Sequence, residues 1–172
     1  MSALLSLALF AAAADDGTVA RCAISKTPAA ERTAMQNATI ASVTRGTPPS
    51  AATEALLVKL RARAADCQPG SGAVDSRAGE IAVASLVVET LSNALQKQGV
   101  DTRAVTVRLT RTPPATLDAL LAKKRSADVG ELMTALQAAA GPKGTTATVS
   151  RLLAGYAFNV ARLGKVFKST AR

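Results

Sequence analysis

Between Ser76 and Gln98 the apolar residues Ala84, Val87, Val88, Leu91, Ala94 and Leu95 recur at intervals of three and four. That period puts them on one face of a helix, with Ser85, Glu89, Asn93 and Lys97 opposite. A helix of this length carrying a continuous apolar face must bury it against other elements. Its pattern is the clearest in the chain.

Turn-formers divide the rest of the chain into similar pieces. Thr27-Pro28 opens a helix, with Thr27 as N-cap and Glu31 near the positive end of the dipole. It runs to about Arg45 and stops at Gly46, before Pro48-Pro49. A second helix covers about Ser50–Asp66, with Leu56, Leu57, Leu60, Ala64 and Cys67 as its stripe. Gln68-Pro69-Gly70-Ser71-Gly72 breaks it, and Gly99 ends the Ser76–Gln98 helix. Thr112-Pro113-Pro114 starts a short helix to about Arg125. Asp128 and Glu131 form a capping box for the next, which ends at Gly141-Pro142-Lys143-Gly144. A last helix covers about Thr146–Lys168.

Of the residues, 48% are hydrophobic but only 2% aromatic. The core must then be built from Ala, Leu and Val, and alanine favours helices. Low lysine beside abundant Ala, Arg and Thr hints, by association alone, at a GC-rich bacterial genome.

One stretch departs from the helical period. In Ala104–Arg111, Val105, Val107 and Leu109 alternate with Thr106, Arg108 and Thr110, which predicts a strand. A candidate partner comes from internal similarity. Thr44-Arg45-Gly46-Thr47-Pro48-Pro49 resembles Thr110-Arg111-Thr112-Pro113-Pro114, and Glu54–Arg61 resembles Asp118–Arg125. Gly79-Glu80-Ile81 likewise resembles Gly130-Glu131-Leu132. A helical pair used twice, over 43–98 and 109–144, would pair Thr39–Thr44 with Val105–Thr110 as a small ribbon.

Met1–Ala14 is an apolar leader, Leu4 to Phe10 followed by four alanines. Ala12-x-Ala14 meets the small-residue rule for signal cleavage and leaves Asp15 as the new N-terminus. No Lys or Arg precedes Arg21, so the basic n-region is missing. The leader is too short to span a bilayer, which needs about 20 residues, and no other stretch is expected to do so. Arg21 before Cys22 argues against a lipid-modified cysteine. The remainder, 15–172, suits a single soluble helical domain, periplasmic or secreted.

Cys22 and Cys67 are the only cysteines. In an oxidising compartment an isolated pair is most simply a disulfide. Cys22 should lie just before one helix and Cys67 at the end of the next, where a helical hairpin brings them together. With no histidine in the chain, two thiols make a poor metal site.

The lack of histidine also removes the usual general base and any Ser-His-Asp or Cys-His nucleophile. Glu80 and Glu131 are the carboxylates a hydrolase would use. Gly141–Thr146 could rest an anion on a helix N-terminus beside Lys143, but it lacks the P-loop pattern.

The net charge is +9, and no acid follows Glu131. In the last helix Val149, Leu152, Leu153, Tyr156, Val160, Leu163 and Phe167 form the core stripe. Phe158 points away from it, amid Arg151, Arg162 and Lys165. An aromatic among three cations suits an anionic membrane surface, a polyanion or an acidic partner.

The expected fold is all-α: a compact bundle of five or six helices with one disulfide, a duplicated helical pair and a minor two-stranded ribbon. The expected function is that of an exported, non-enzymatic protein of the bacterial envelope acting by protein or surface contacts. The alternative is a binder of anionic membrane or polyanion through the basic last helix; a carboxylate hydrolase comes third. No cofactor is expected, and nucleic acid is not the expected partner.

Overall fold

The computed structural model describes the backbone of residues 14–67 and 76–168, and side chains from 17–67 and 77–166. The leader, apart from Ala14, and the break at 68–72 lie outside the described residues, as does the Phe167 side chain. The described chain is all-helical: α1 (Ala14–Lys26), α2 (Ala29–Arg45), α3 (Ala51–Ala65), α4 (Ser76–Lys97), α5 (Thr102–Thr110), α6 (Pro114–Leu121), α7 (Ala127–Ala139) and α8 (Ala147–Lys168). The short helix after Pro113 thus ends at Leu121, before the expected Arg125. Eight helices replace the expected five or six.

The helix α4 is the axis. It packs against α1, α2 and α3, and against α8 over both of its halves. Its N-terminal half joins Val19, Ala20 and Ala23 of α1, Met35 of α2, Leu57 and Leu60 of α3 and Leu163 of α8 in one core cluster. Its C-terminal half shares a second cluster with Val105 and Leu109 of α5, Leu132 and Leu136 of α7 and the Val149–Val160 stretch of α8. By length and mean hydropathy, 1.2 over its apolar window, Arg77–Lys97 could also cross a membrane. The same window is 61% buried inside the bundle, as befits a core helix.

The expected strand at 104–111 is α5. Alternation misled because two polar-looking threonines belong to the core. Thr102 and Thr106 are buried on the face that holds Val105 and Leu109, so the true period is three to four. Their hydroxyls are satisfied. Thr106 donates to the Thr102 carbonyl at 2.7 Å and meets the Tyr156 hydroxyl at 2.8 Å. Gln96 donates to Thr102 at 3.0 Å. Val107, the middle residue of the apparent alternation, faces outward. Asp101 caps the helix, accepting from the backbone of Arg103 and Ala104. The ribbon falls with the strand: 39–44 lies within α2, 105–110 within α5, and no strand occurs among the described residues.

Two caps also differ. Thr27 does not cap α2; its buried hydroxyl turns back to the Ala23 carbonyl at the end of α1. The residue at the α2 N-cap is Pro28. Ser126, not Asp128 with Glu131, opens α7, its hydroxyl accepting from Val129.

The disulfide is present between Cys22 and Cys67, 45 residues apart. Its setting is not the expected hairpin. Cys22 lies inside α1, a helix of its own, and Cys67 follows the end of α3. The bond therefore pins α1 across α3, beside the first core cluster, against which Cys67 packs.

Candidate functional site

The residues Arg151, Phe158, Arg162 and Lys165 all lie on α8, Arg151 and Lys165 exposed and Phe158 and Arg162 half-buried. Gly155 lets α8 approach α2: a Cβ there would come within 2.9 Å of Val43 Cγ1. Close by, Arg151 donates to the Thr44 carbonyl, one of the last carbonyls of α2. One turn past Phe158, Arg162 pairs with Glu80 of α4. Lys165 pairs with Asp118 of α6 at 3.2 Å. All three cations thus fasten α8 to its neighbours. Phe158 between them is half-buried.

Glu80 sits between two guanidinium groups. Gly79 makes this possible, since a Cβ there would come within 3.0 Å of Arg61 Cβ. With α3 that close, Arg61 Nε donates to Glu80 Oε1 at 2.9 Å, while Arg162 takes Oε2. Burial, and then the neighbouring Arg61 charge, push the Arg162 pKa below its ordinary value. Glu80 is thereby a structural clamp joining α3, α4 and α8. Glu131, its counterpart in the repeated segment, is exposed on α7. The geometry found for Glu80 is that of an ion-pair centre and not of a free acid or base.

A second ion-pair centre joins α2 and α3. Glu31 contacts Arg63 Nη2 at 2.7 Å and Lys59 Nζ at 3.6 Å. The hydrogen bond with Arg63 outweighs desolvation and, with the two positive charges, holds the Glu31 carboxyl below its usual range. A depressed folded pKa contributes stability above the unfolded value, about 4.3, and loses it as pH falls through the folded value. Replacing Glu31 by Gln is expected to lower the thermal midpoint at pH 7 and to change it little in strong acid. Equal effects at both pH values would contradict the pairing.

The loop before α8 spends its polar groups internally. Thr146 accepts from the Val149 backbone N–H at 3.4 Å and its own hydroxyl donates to the Lys143 carbonyl. The Gly144 N–H goes to Gly141. Among the described residues no group of three or more His, Cys, Asp or Glu comes together as a metal site.

The basic surface that strand periodicity conceals lies on α5. Once 102–110 is helical, Arg103, Val107 and Arg111 fall on one outward face, with Arg108 beside them, and all four are exposed. Val107 is 39% exposed. Lys97 is exposed at the end of α4. Lys143 reaches the α4–α5 turn, its Nζ lying 3.6 Å from where a Gly99 Cβ would stand. Among the described residues none of these five cations has an ion pair. The available signal was Asp101, an N-cap residue placed just before Thr102.

Compared with protein-family models, with curated proteins and with solved structures, the chain matches none.

Proposed function

We propose that this chain is an exported, non-enzymatic protein of the bacterial envelope that acts through its surface. The observation that carries this reading is the Cys22–Cys67 disulfide. Such bonds persist in oxidising compartments and are rare in the cytosol. The leader Met1–Ala14 supports it independently, since cleavage after Ala14 removes the apolar run and leaves Cys22 in the mature chain. The arrangement of carboxylates favours contact over chemistry, because Glu80 is committed to two arginines. The net charge of +9 favours an acidic counterpart.

Expression of residues 1–172 in a bacterium, followed by fractionation, tests the reading. The protein is expected outside the cytoplasm, beginning at Asp15, without free thiols. Full-length protein retained in the cytoplasm with two reactive thiols would contradict it.

A further inference from the structure

We propose that the outward face of α5 is the surface that meets the anionic partner, and that this partner is a lipid bilayer bearing phosphate headgroups. The proposal deepens the envelope reading and rests on it for the choice of bilayer. The charge argument is local. Between Lys97 and Arg111 there are four cations, and Lys143 joins them across the turn. The one acid of that segment, Asp101, turns its carboxylate to its own helix's backbone N–H groups. On α8, by contrast, each cation of the expected binding face already has a partner within the fold.

The shape favours a bilayer over the other anions. Arg103, Arg108 and Arg111 present planar guanidinium groups, which bind phosphate oxygens bidentately. They surround a single small apolar side chain, Val107, suited to the boundary beneath the headgroups. A protein partner would ordinarily be anchored by a large apolar or aromatic side chain in a pocket, and this face carries none. Single-stranded nucleic acid would require aromatic rings for stacking, and α5 carries none. Headgroup attraction needs neither, because it accrues charge by charge within a Debye length.

The test uses the mature, disulfide-intact chain and vesicles of phosphatidylcholine, alone or mixed with phosphatidylglycerol. Sedimentation with the mixed vesicles is expected at low salt, and release at high salt. The variant Arg103→Gln/Arg108→Gln/Arg111→Gln should bind about 100-fold more weakly. Arg151→Gln/Lys165→Gln should bind as the unaltered chain does. A second measurement needs no variant: phenylglyoxal labelling of the native chain, read by mass spectrometry. Mixed vesicles should protect Arg103, Arg108 and Arg111. The proposal is overturned by lack of binding to mixed vesicles at low salt, by undiminished binding of the triple variant, or by protection confined to Arg151 and Arg162. Tighter binding to an RNA or DNA oligonucleotide than to the vesicles would also overturn it. Vesicle binding through α5 by a protein that fractionates with the cytoplasm would support this surface and refute the export reading.

Discussion

Replacing Cys22 and Cys67 together by alanine is expected to cost about 4 kcal/mol of stability, the chain-entropy value for a closed loop of this size. For a domain of this length that lowers the thermal midpoint by about 8–16 °C. Beyond the bond, α1 packs on α4 and α3 chiefly through small side chains, with Ile24 half-buried beside them. Val19, Ala20 and Ala23 are its buried contribution to the first core cluster, and two of the three are alanines. The damage should therefore be uneven. Amide hydrogen exchange of the variant is expected to quicken first in α1, while α5 and α7, which pack in the second cluster, keep their protection. A midpoint unchanged by the double substitution would show that packing alone holds α1.

Tyr156→Ala is expected to destabilise the chain by a similar amount, about 3–5 kcal/mol. Its ring is 2% exposed at the centre of the second cluster. The substitution opens a cavity and removes one of the two partners of the buried Thr106 hydroxyl. Tyr156→Phe separates the two effects. It keeps the ring and should cost about 1 kcal/mol, the net worth of the hydrogen bond. Burial raises the Tyr156 pKa, opposed by the bond with Thr106. A raised folded pKa gives stability that is complete below the unfolded value of about 10 and is lost as pH rises through the folded value. Alkaline unfolding should accordingly be delayed in Tyr156→Phe. Identical melting curves for Tyr156→Ala and the native chain at neutral pH would contradict the described core.

Residue types and burial explain which elements were legible. The stripe of α4 consists of Ala, Val and Leu at helical spacing; its Ala84, Leu91, Ala94 and Leu95 are buried and Val87 and Val88 half-buried, but Ser85, expected on the opposite face, is buried as well. The cysteine pairing followed from there being only two cysteines. The setting of Cys22 did not, because α1 offers only Val19 and Ile24 as larger apolar residues and begins with Asp15, Asp16 and Gly17. In α5, buried threonines with satisfied hydroxyls, Thr106 donating to the Thr102 carbonyl and Thr102 accepting from Ser92 and Gln96 of α4, imitate the polar positions of a strand. Period analysis that scores threonine as polar cannot separate the two.

The candidate site was legible only as a set of charges. The positions of Arg151, Phe158, Arg162 and Lys165 on one face follow from helical spacing. Their partners do not. Arg162 meets Glu80 across 82 residues of chain and Arg151 meets Thr44 across 107, pairings made by the close approach of α8 to α4 and α2. A face that reads as free cations in one helix is a set of fasteners in the bundle. Three cations that have no ion pair among the described residues, Arg103, Arg108 and Arg111, lie on α5 or at its C-cap, where the chain resembles a strand.

Intact mass spectrometry of the protein recovered from a bacterial host, alkylated without reduction, measures processing and thiol state together. The expected species begins at Asp15 and carries no alkyl group on Cys22 or Cys67. A species that begins at Met1 and carries two alkyl groups would contradict both the export and the tether that holds α1 to α3.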